Sequence, residues 1–274
     1  MTTPANLKIT PREIAFGRDG RHPRWWLNGD TVRTAFYNAL SITFPLGERF
    51  FMDAVKNYRH RTPAELQTQI SAFLKQEAMH SREHVFFNKQ LTDHGYDIRP
   101  AERRLEWRIN LSRKAPHAVQ LAATAALEHF TAIMAHEVLR NPVHFEGASE
   151  EAARMWRWHA MEEIEHKAVA YDTLVTAVRG GPVGRWVLRS LVMMLATLLF
   201  AYTITRNVAD LFKQDRMAGP RAWGGMFNYL WGSPGLARRL IPAYLAYYRP
   251  GFHPWEVDDR HLLTEMEGEF APAG

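Results

Sequence analysis

From about Asp30 the hydrophobic and polar positions settle into a helical pattern, divided by proline, glycine and capping residues. Asp30 has the side chain of an N-cap, and Pro45 is expected to kink or split the first segment just before Glu48. Thr62-Pro63-Ala64-Glu65 reads as a capping box opening a helix to about Leu91. Residues 93–115 form a charged connection with a short helix near 102–110. Pro116 opens a third long helix to about Arg140, and Ser149 caps a fourth that runs to Gly180-Gly181-Pro182. Four helices of roughly 25–30 residues suit an all-α four-helix bundle over 31–180. Residues 1–30 are an irregular arm broken by Pro4, Pro11, Gly17, Gly20 and Pro23, with Trp25 and Trp26 expected to dock it on the body.

Residues 181–274 differ in character. Ser190 to Thr205 is uncharged and apolar, bounded by Arg189 and Arg206. Sixteen residues fall short of the roughly 20 that span a bilayer as a straight helix. Three readings stay open: a buried fifth helix capping the bundle, a helix lying in or dipping into a membrane surface through 186–206, or a true membrane span. In the second, Arg185, Arg189, Arg206 and Lys213 would meet anionic headgroups. Short aromatic helices follow through Trp231 and Tyr248, and Arg249-Pro250-Gly251-Phe252-His253-Pro254-Trp255 is too rigid for a loose tail. Fraying is expected from about Gly268.

Several helical positions that should be apolar are instead acidic or imidazole. His159, Glu163 and His166 fall within a ~60° arc of one helix face. Glu77-Ala78-Met79-His80 repeats the Glu-x-x-His spacing, and His84 shares its face. Lone glutamates stand at Glu48 and Glu128, the latter flanked by the small residues Thr124, Ala125, Thr131, Ala132 and Ala135. The order Glu, Glu-x-x-His, Glu, Glu-x-x-His is how a four-helix bundle assembles a dimetal carboxylate centre. Small residues leave room for a cluster and a substrate, and serve equally for close helix packing. Glu162 flanks the stripe, and Glu165 points away from it, toward solvent or a partner helix. The alternative for the two Glu-x-x-His pairs is surface salt bridging. It leaves unexplained why both occupy faces that a bundle must bury.

Glu137 competes with Glu128 but lies on the opposite side of its helix. His159 is a seventh ligand or a partner of a ligating carboxylate. His84 is a ligand, a ligand's partner or a hydrogen-bonded core histidine, while His129 and His136 read as structural or supporting.

Composition narrows the chemistry. The 274 residues are 46% hydrophobic and 23% charged, enough for one large core. There is no cysteine, so a metal must sit on imidazole and carboxylate, which favours iron, with manganese or zinc as alternatives. The net charge of +5 comes from dispersed basic residues without a recognition-helix, finger or RNP pattern, so nucleic acid is not an expected partner. Residues 1–20 lack the apolar segment of a signal peptide, which points to the cytoplasm or the inner face of the membrane.

The ligand series resembles that of the ferritin-like di-iron oxygenases, and His159, four residues before Glu163, resembles the p-aminobenzoate N-oxygenase group. That resemblance implies a ferritin-like bundle with Glu48, Glu77, His80, Glu128, His159, Glu163 and His166 as ligands to two metal ions. The chain as a whole, including Trp25-Trp26 and Phe252-His253-Pro254-Trp255, also resembles a bacterial family of predicted metal-dependent hydrolases. The leading expectation is a di-iron enzyme that activates O2 to hydroxylate, desaturate or N-oxygenate a small apolar or lipid-like substrate, drawing on an external electron donor. The alternatives are a dimetal hydrolase and a non-catalytic metal-binding protein. A homodimer is compatible with either enzyme.

Overall fold

Asp30 caps the first helix as expected: its carboxylate accepts from the backbone N–H of Val32 and Arg33, and α1 runs Thr31–Ser41. Pro45 splits rather than kinks the segment. The chain turns at Ile42 and Thr43, and α2 (Phe44–Lys56) begins with Pro45 in its first turn, where the missing N–H breaks no helical bond. The computed structural model describes residues 3–4, 6–18 and 20–270, and its regular elements are all helical.

The Thr62 capping box does not form. The Thr62 hydroxyl donates to the Arg59 carbonyl, Pro63 takes the cap position, and α3 (Ala64–Asp93) runs two residues past the expected Leu91. The connection after it holds α4 (Arg99–Ser112), longer than its charge pattern suggested. Helix α5 (His117–Arg140) has the expected bounds. Ser149 precedes α6 without a side-chain cap; its backbone N–H donates to the Trp26 carbonyl instead. The expected single helix from Ser149 to Gly180 is also broken. Helix α6 (Glu150–His166) stops at Lys167, and α7 (Val169–Ala177) resumes after it. At the break the buried Lys167 ammonium donates to Asp259 at 2.6 Å and to the Val257 carbonyl at 2.8 Å.

Helix α2 packs on α3 and α5, and α6 packs on α5 and α3, so the four enclose a common interior. Two apolar clusters bracket the polar residues there, and their rings touch the histidines. Phe73 meets His166 edge-on at 5.0 Å, Phe44 lies 4.7 Å from His159, and Trp158 meets His80 edge-on at 4.9 Å.

Helix α8 (Pro182–Gln214) is 33 residues long, about twice its apolar run. One face packs on α5 and α1 and the other is exposed, so it is not simply a buried capping helix. Short helices α9 (Pro220–Trp231) and α10 (Leu236–Ala246) follow. The Phe252–Trp255 segment is buried as expected, with His253 bonded to Asp172 at 3.0 Å. Fraying does not begin at Gly268, because α11 (Arg260–Phe270) continues to a buried Phe270; residues 271–274 lie outside the described residues.

The N-terminal arm is docked by more than its tryptophans. Trp26 is buried with its indole N–H on Asn38, whereas Trp25 is 40% exposed. Arg12 and Arg18 anchor the arm on acids of α6 and α3: Arg12 on Glu162 and Glu165, Arg18 on Glu83.

Candidate metal centre

Splitting the first segment places Glu48 in the second turn of α2, facing the helix that carries Glu77 and His80. Glu128 comes from the middle of α5 and Glu163 and His166 from the end of α6. All seven expected residues, His159 included, are buried, so surface salt bridging does not account for them.

Their donor atoms converge. His166 Nε2 lies 3.2 Å from Glu77 Oε1, 3.4 Å from Glu128 Oε2 and 3.6 Å from Glu163 Oε1. His80 Nδ1 lies 3.6 Å from both Glu77 Oε1 and Glu163 Oε1. His159 Nε2 approaches Glu163 Oε1 to 2.9 Å. Glu48, Glu77 and His80 form one group whose ligand atoms all lie within 4.8 Å of one another. Glu77, Glu163 and His166 form another, and Glu77 belongs to both.

The histidines are oriented from outside the cluster. Gln76 donates through Nε2 to Glu165 Oε2 at 2.8 Å, which fixes its amide and leaves Oε1 to accept from His166 Nδ1–H at 2.9 Å. That bond turns Nε2 toward the acids. His80 donates Nε2–H to Glu162 Oε2 at 3.1 Å and turns its Nδ1 inward; burial opposes its charge, yet Glu162 and Glu77 raise its pKa well above the ordinary value, so a metal ion would displace a proton there. Arg12 stands behind both arrangements, on Glu165 at 2.7 Å and Glu162 at 3.5 Å. Burial opposes the Arg12 charge, yet Glu165 and Glu162 hold its pKa above the ordinary value.

A third chain sets His159. Asn88 donates to the Ser41 carbonyl, so its Oδ1 accepts the Ser41 hydroxyl proton at 2.7 Å. Ser41 Oγ then accepts from His84 Nδ1–H at 2.8 Å, and His84 Nε2 accepts from His159 Nδ1–H at 2.7 Å. Burial and the neighbouring imidazoles lower the pKa of both, that of His159 to about 4, so both rings are neutral at pH 7. His159 therefore points an unprotonated Nε2 at a carboxylate oxygen, an arrangement with no hydrogen to share.

A metal ion resolves these conflicts. Glu48 Oε1, both Glu77 oxygens, His80 Nδ1, Glu128 Oε2, Glu163 Oε2 and His166 Nε2 are buried without a hydrogen-bond partner. Each such atom costs about 1–3 kcal/mol, more where charged. Burial, reinforced by Glu77, pushes the Glu48 and Glu128 carboxyls well above the usual range, and burial raises Glu77. Cations would neutralise this charge and take the seven unpaired atoms as ligands.

The remaining candidates lie elsewhere. His129 Nε2–H donates to the Ala243 carbonyl, His136 pairs with Asp259, and Glu137 accepts from His144 and Asn141. Sequence reasoning missed Arg12, Gln76 and the acceptor role of Glu162. Glu165 faces a partner helix and the arm, not solvent. Gln76 directly precedes Glu77, so helical geometry puts it beside the ligand face, but no spacing rule reaches back to Arg12.

A narrow cleft with about 40 Å³ of free space reaches His159 and Glu163. Phe36, Leu40, Phe44, Met134, Val138 and Leu236 make its walls apolar, and the small residues Thr131 and Ala135 widen it.

No curated protein and no solved structure matches the chain. The family described as predicted metal-dependent hydrolase matches residues 10–258, most of the sequence, including every residue of the cluster and Arg12. With that extent of match, the chain belongs to the family of predicted metal-dependent hydrolases.

Proposed function

We propose that the protein is a metal-dependent hydrolase acting on a small apolar or lipid-like substrate. Glu48, Glu77, His80, Glu128, Glu163 and His166 would hold two divalent ions, with His159 as the seventh ligand and Glu77 shared between the two groups. The observation that carries the reading is the convergence of seven buried, unpartnered donor atoms, joined by the family match. When bound, such ions lower the pKa of a water and polarise a carbonyl or phosphoryl oxygen.

The chain's own contribution is orientation and exclusion. Gln76 and Glu162 hold the His166 and His80 rings in orientation, and Arg12 fixes both supports. His84 keeps the Nδ1 proton of His159 outside the cluster. The apolar walls of the cleft exclude bulk water and would part to admit the apolar portion of a substrate, whose reacting group would then meet Glu163 and His159 at the inner end.

A second reading is an O2-activating di-iron enzyme. It is favoured by the ligand set itself: four carboxylates and paired Glu-x-x-His motifs on four mutually packed helices, opening on an apolar cleft. Metal analysis followed by anaerobic Fe(II) loading and stopped-flow mixing with O2 separates the two. Zinc or manganese, with turnover of apolar esters, amides or phosphoesters and no response to O2, supports hydrolysis. About two irons per chain with a transient visible absorption on O2 mixing supports the oxygenase and sinks the hydrolase.

A further inference from the structure

Outside the centre, the least explained surface is the outer face of α8. Val183, Val187, Leu191, Leu195, Leu198 and Tyr202 stand three or four residues apart, each at least 41% exposed. They form a single apolar stripe about 29 Å long at 1.5 Å per residue. The opposite face is tied to the body: buried Arg189 donates to the Tyr247 and Arg249 carbonyls, and buried Asn207 donates to the Ala39 carbonyl. The helix therefore lies along the surface, with its inner face fixed on α5 and α1.

Neighbours extend the stripe on both flanks. On one side Arg108 of α4 donates to the Leu199 carbonyl and sits over the Tyr202 ring, beside a 66%-exposed Trp107. On the other, Tyr244 of α10 bonds Thr197, next to an exposed Leu245.

Charge selects the occupant. Residues 182–250 carry nine Arg and Lys against two Asp, a charge of +7 where the entire chain has +5; Arg189 is buried and Arg239 and Arg249 pair with Glu137 and Glu256, which leaves Arg185, Arg206, Lys213, Arg216, Arg221 and Arg238. Both acids are already used, Asp210 by Arg104 and Asp215 by Arg24 and Tyr96. A twofold copy of the chain would set this basic segment against itself. A surface with apolar depth and negative charge satisfies both properties, and exposed Trp and Tyr suit its boundary with water. We infer that the α8 stripe, with its α4 and α10 flanks, docks the protein flat on an anionic lipid bilayer. The inference is independent of the reaction at the metal centre.

The test is flotation of the full chain with vesicles of phosphatidylcholine alone or with about one-third phosphatidylglycerol. Binding is expected to the anionic vesicles, weakened by salt and lowered about 100-fold or more in Leu191→Glu/Leu198→Glu, whose sites are exposed. Circular dichroism checks that the variant is folded. Should it not fold, brominated phosphatidylglycerol decides on the unaltered chain, where quenching of tryptophan fluorescence that shrinks in Trp107→Phe supports docking. Failure to float with anionic vesicles overturns the inference, as does equal flotation of the folded double variant. Light scattering that shows a dimer dissolved by the same substitutions assigns the face to a second copy and also overturns it.

Discussion

Arg12→Met offers the sharpest test of how the centre is held. Arg12 keeps 11% of its side-chain exposure, while Glu162 and Glu165 keep 0% and 4%. Removing one partner of a buried ion pair costs about 3–5 kcal/mol, because the other charge is left behind. Glu165 retains the Thr10 N–H at 2.9 Å and Gln76 at 2.8 Å, and Glu162 retains the Arg12 N–H at 3.0 Å. These remaining donors put the expected loss near the lower end, about 3 kcal/mol. For a chain of this size that is roughly 6–12 °C in Tm, since each kcal/mol moves it by about 2–4 °C.

The metal-bound protein should lose more. With Glu162 and Gln76 less firmly placed, His80 and His166 hold their orientations less well. Disturbing such supports typically weakens metal binding about 10–100-fold, or about 1.4–2.7 kcal/mol. The fall in Tm should therefore be larger by several degrees in saturating zinc than after chelation. Paired thermal melts and a competition titration with a chromophoric chelator measure both quantities. Equal Tm losses with and without metal, together with unchanged zinc affinity, would refute the orienting role and leave Arg12 as a structural pin.

Three further outcomes are expected. Glu163→Ala and His166→Ala should each remove most bound metal without unfolding the chain, as read by elemental analysis and circular dichroism; full occupancy in both would sink the ligand assignment. Without metal, the raised carboxyls of Glu48, Glu77 and Glu128 make stability fully present below the ordinary carboxylate range and lost as pH rises toward their folded values. With metal the slope should reverse, because binding releases those protons, and urea titrations from pH 4 to 8 check the sign. Val138→Trp, placed in the cleft wall, should raise KM for a bulky apolar substrate much more than for a small one, and uniform kinetics across the series would remove the cleft from the substrate path.

The helices and the residues that converge between them were legible because both follow a local rule. A Glu-x-x-His pair advertises itself wherever a helix face should be apolar, and His159, Glu163 and His166 needed only the 100° step to be placed together. Breaks were read less well because they depend on distant partners. The helix expected from Ser149 to Gly180 stops at Lys167, where the ammonium meets Asp259 and the Val257 carbonyl some ninety residues on. Thr62 carried a capping signature yet bonds backward to Arg59, since Pro63 already occupies the cap. The arm was expected to dock through two tryptophans, but only Trp26 is buried, and Arg12 has no periodicity that could announce it.

Buried carboxylates are the most expensive side chains to place in a bundle, and this interior holds Glu48, Glu77, Glu128 and Glu163 together. Packing gives no reason to gather them, because apolar residues of similar volume would stabilise the same helices without desolvation cost. Hydrogen bonding gives none either. The bonds run outward from the histidines to Gln76, Glu162 and His84, and Ser81 donates to Glu48 Oε2, leaving Glu48 Oε1 and the other inward-facing atoms without donors. The supports sit outside, the lone pairs face inside, and Arg12 ties an otherwise irregular arm to two of those supports. Such a division makes physical sense if a cation completes the interior, which would make the arm part of the proposed metal centre even though none of its residues reaches the inward-facing atoms.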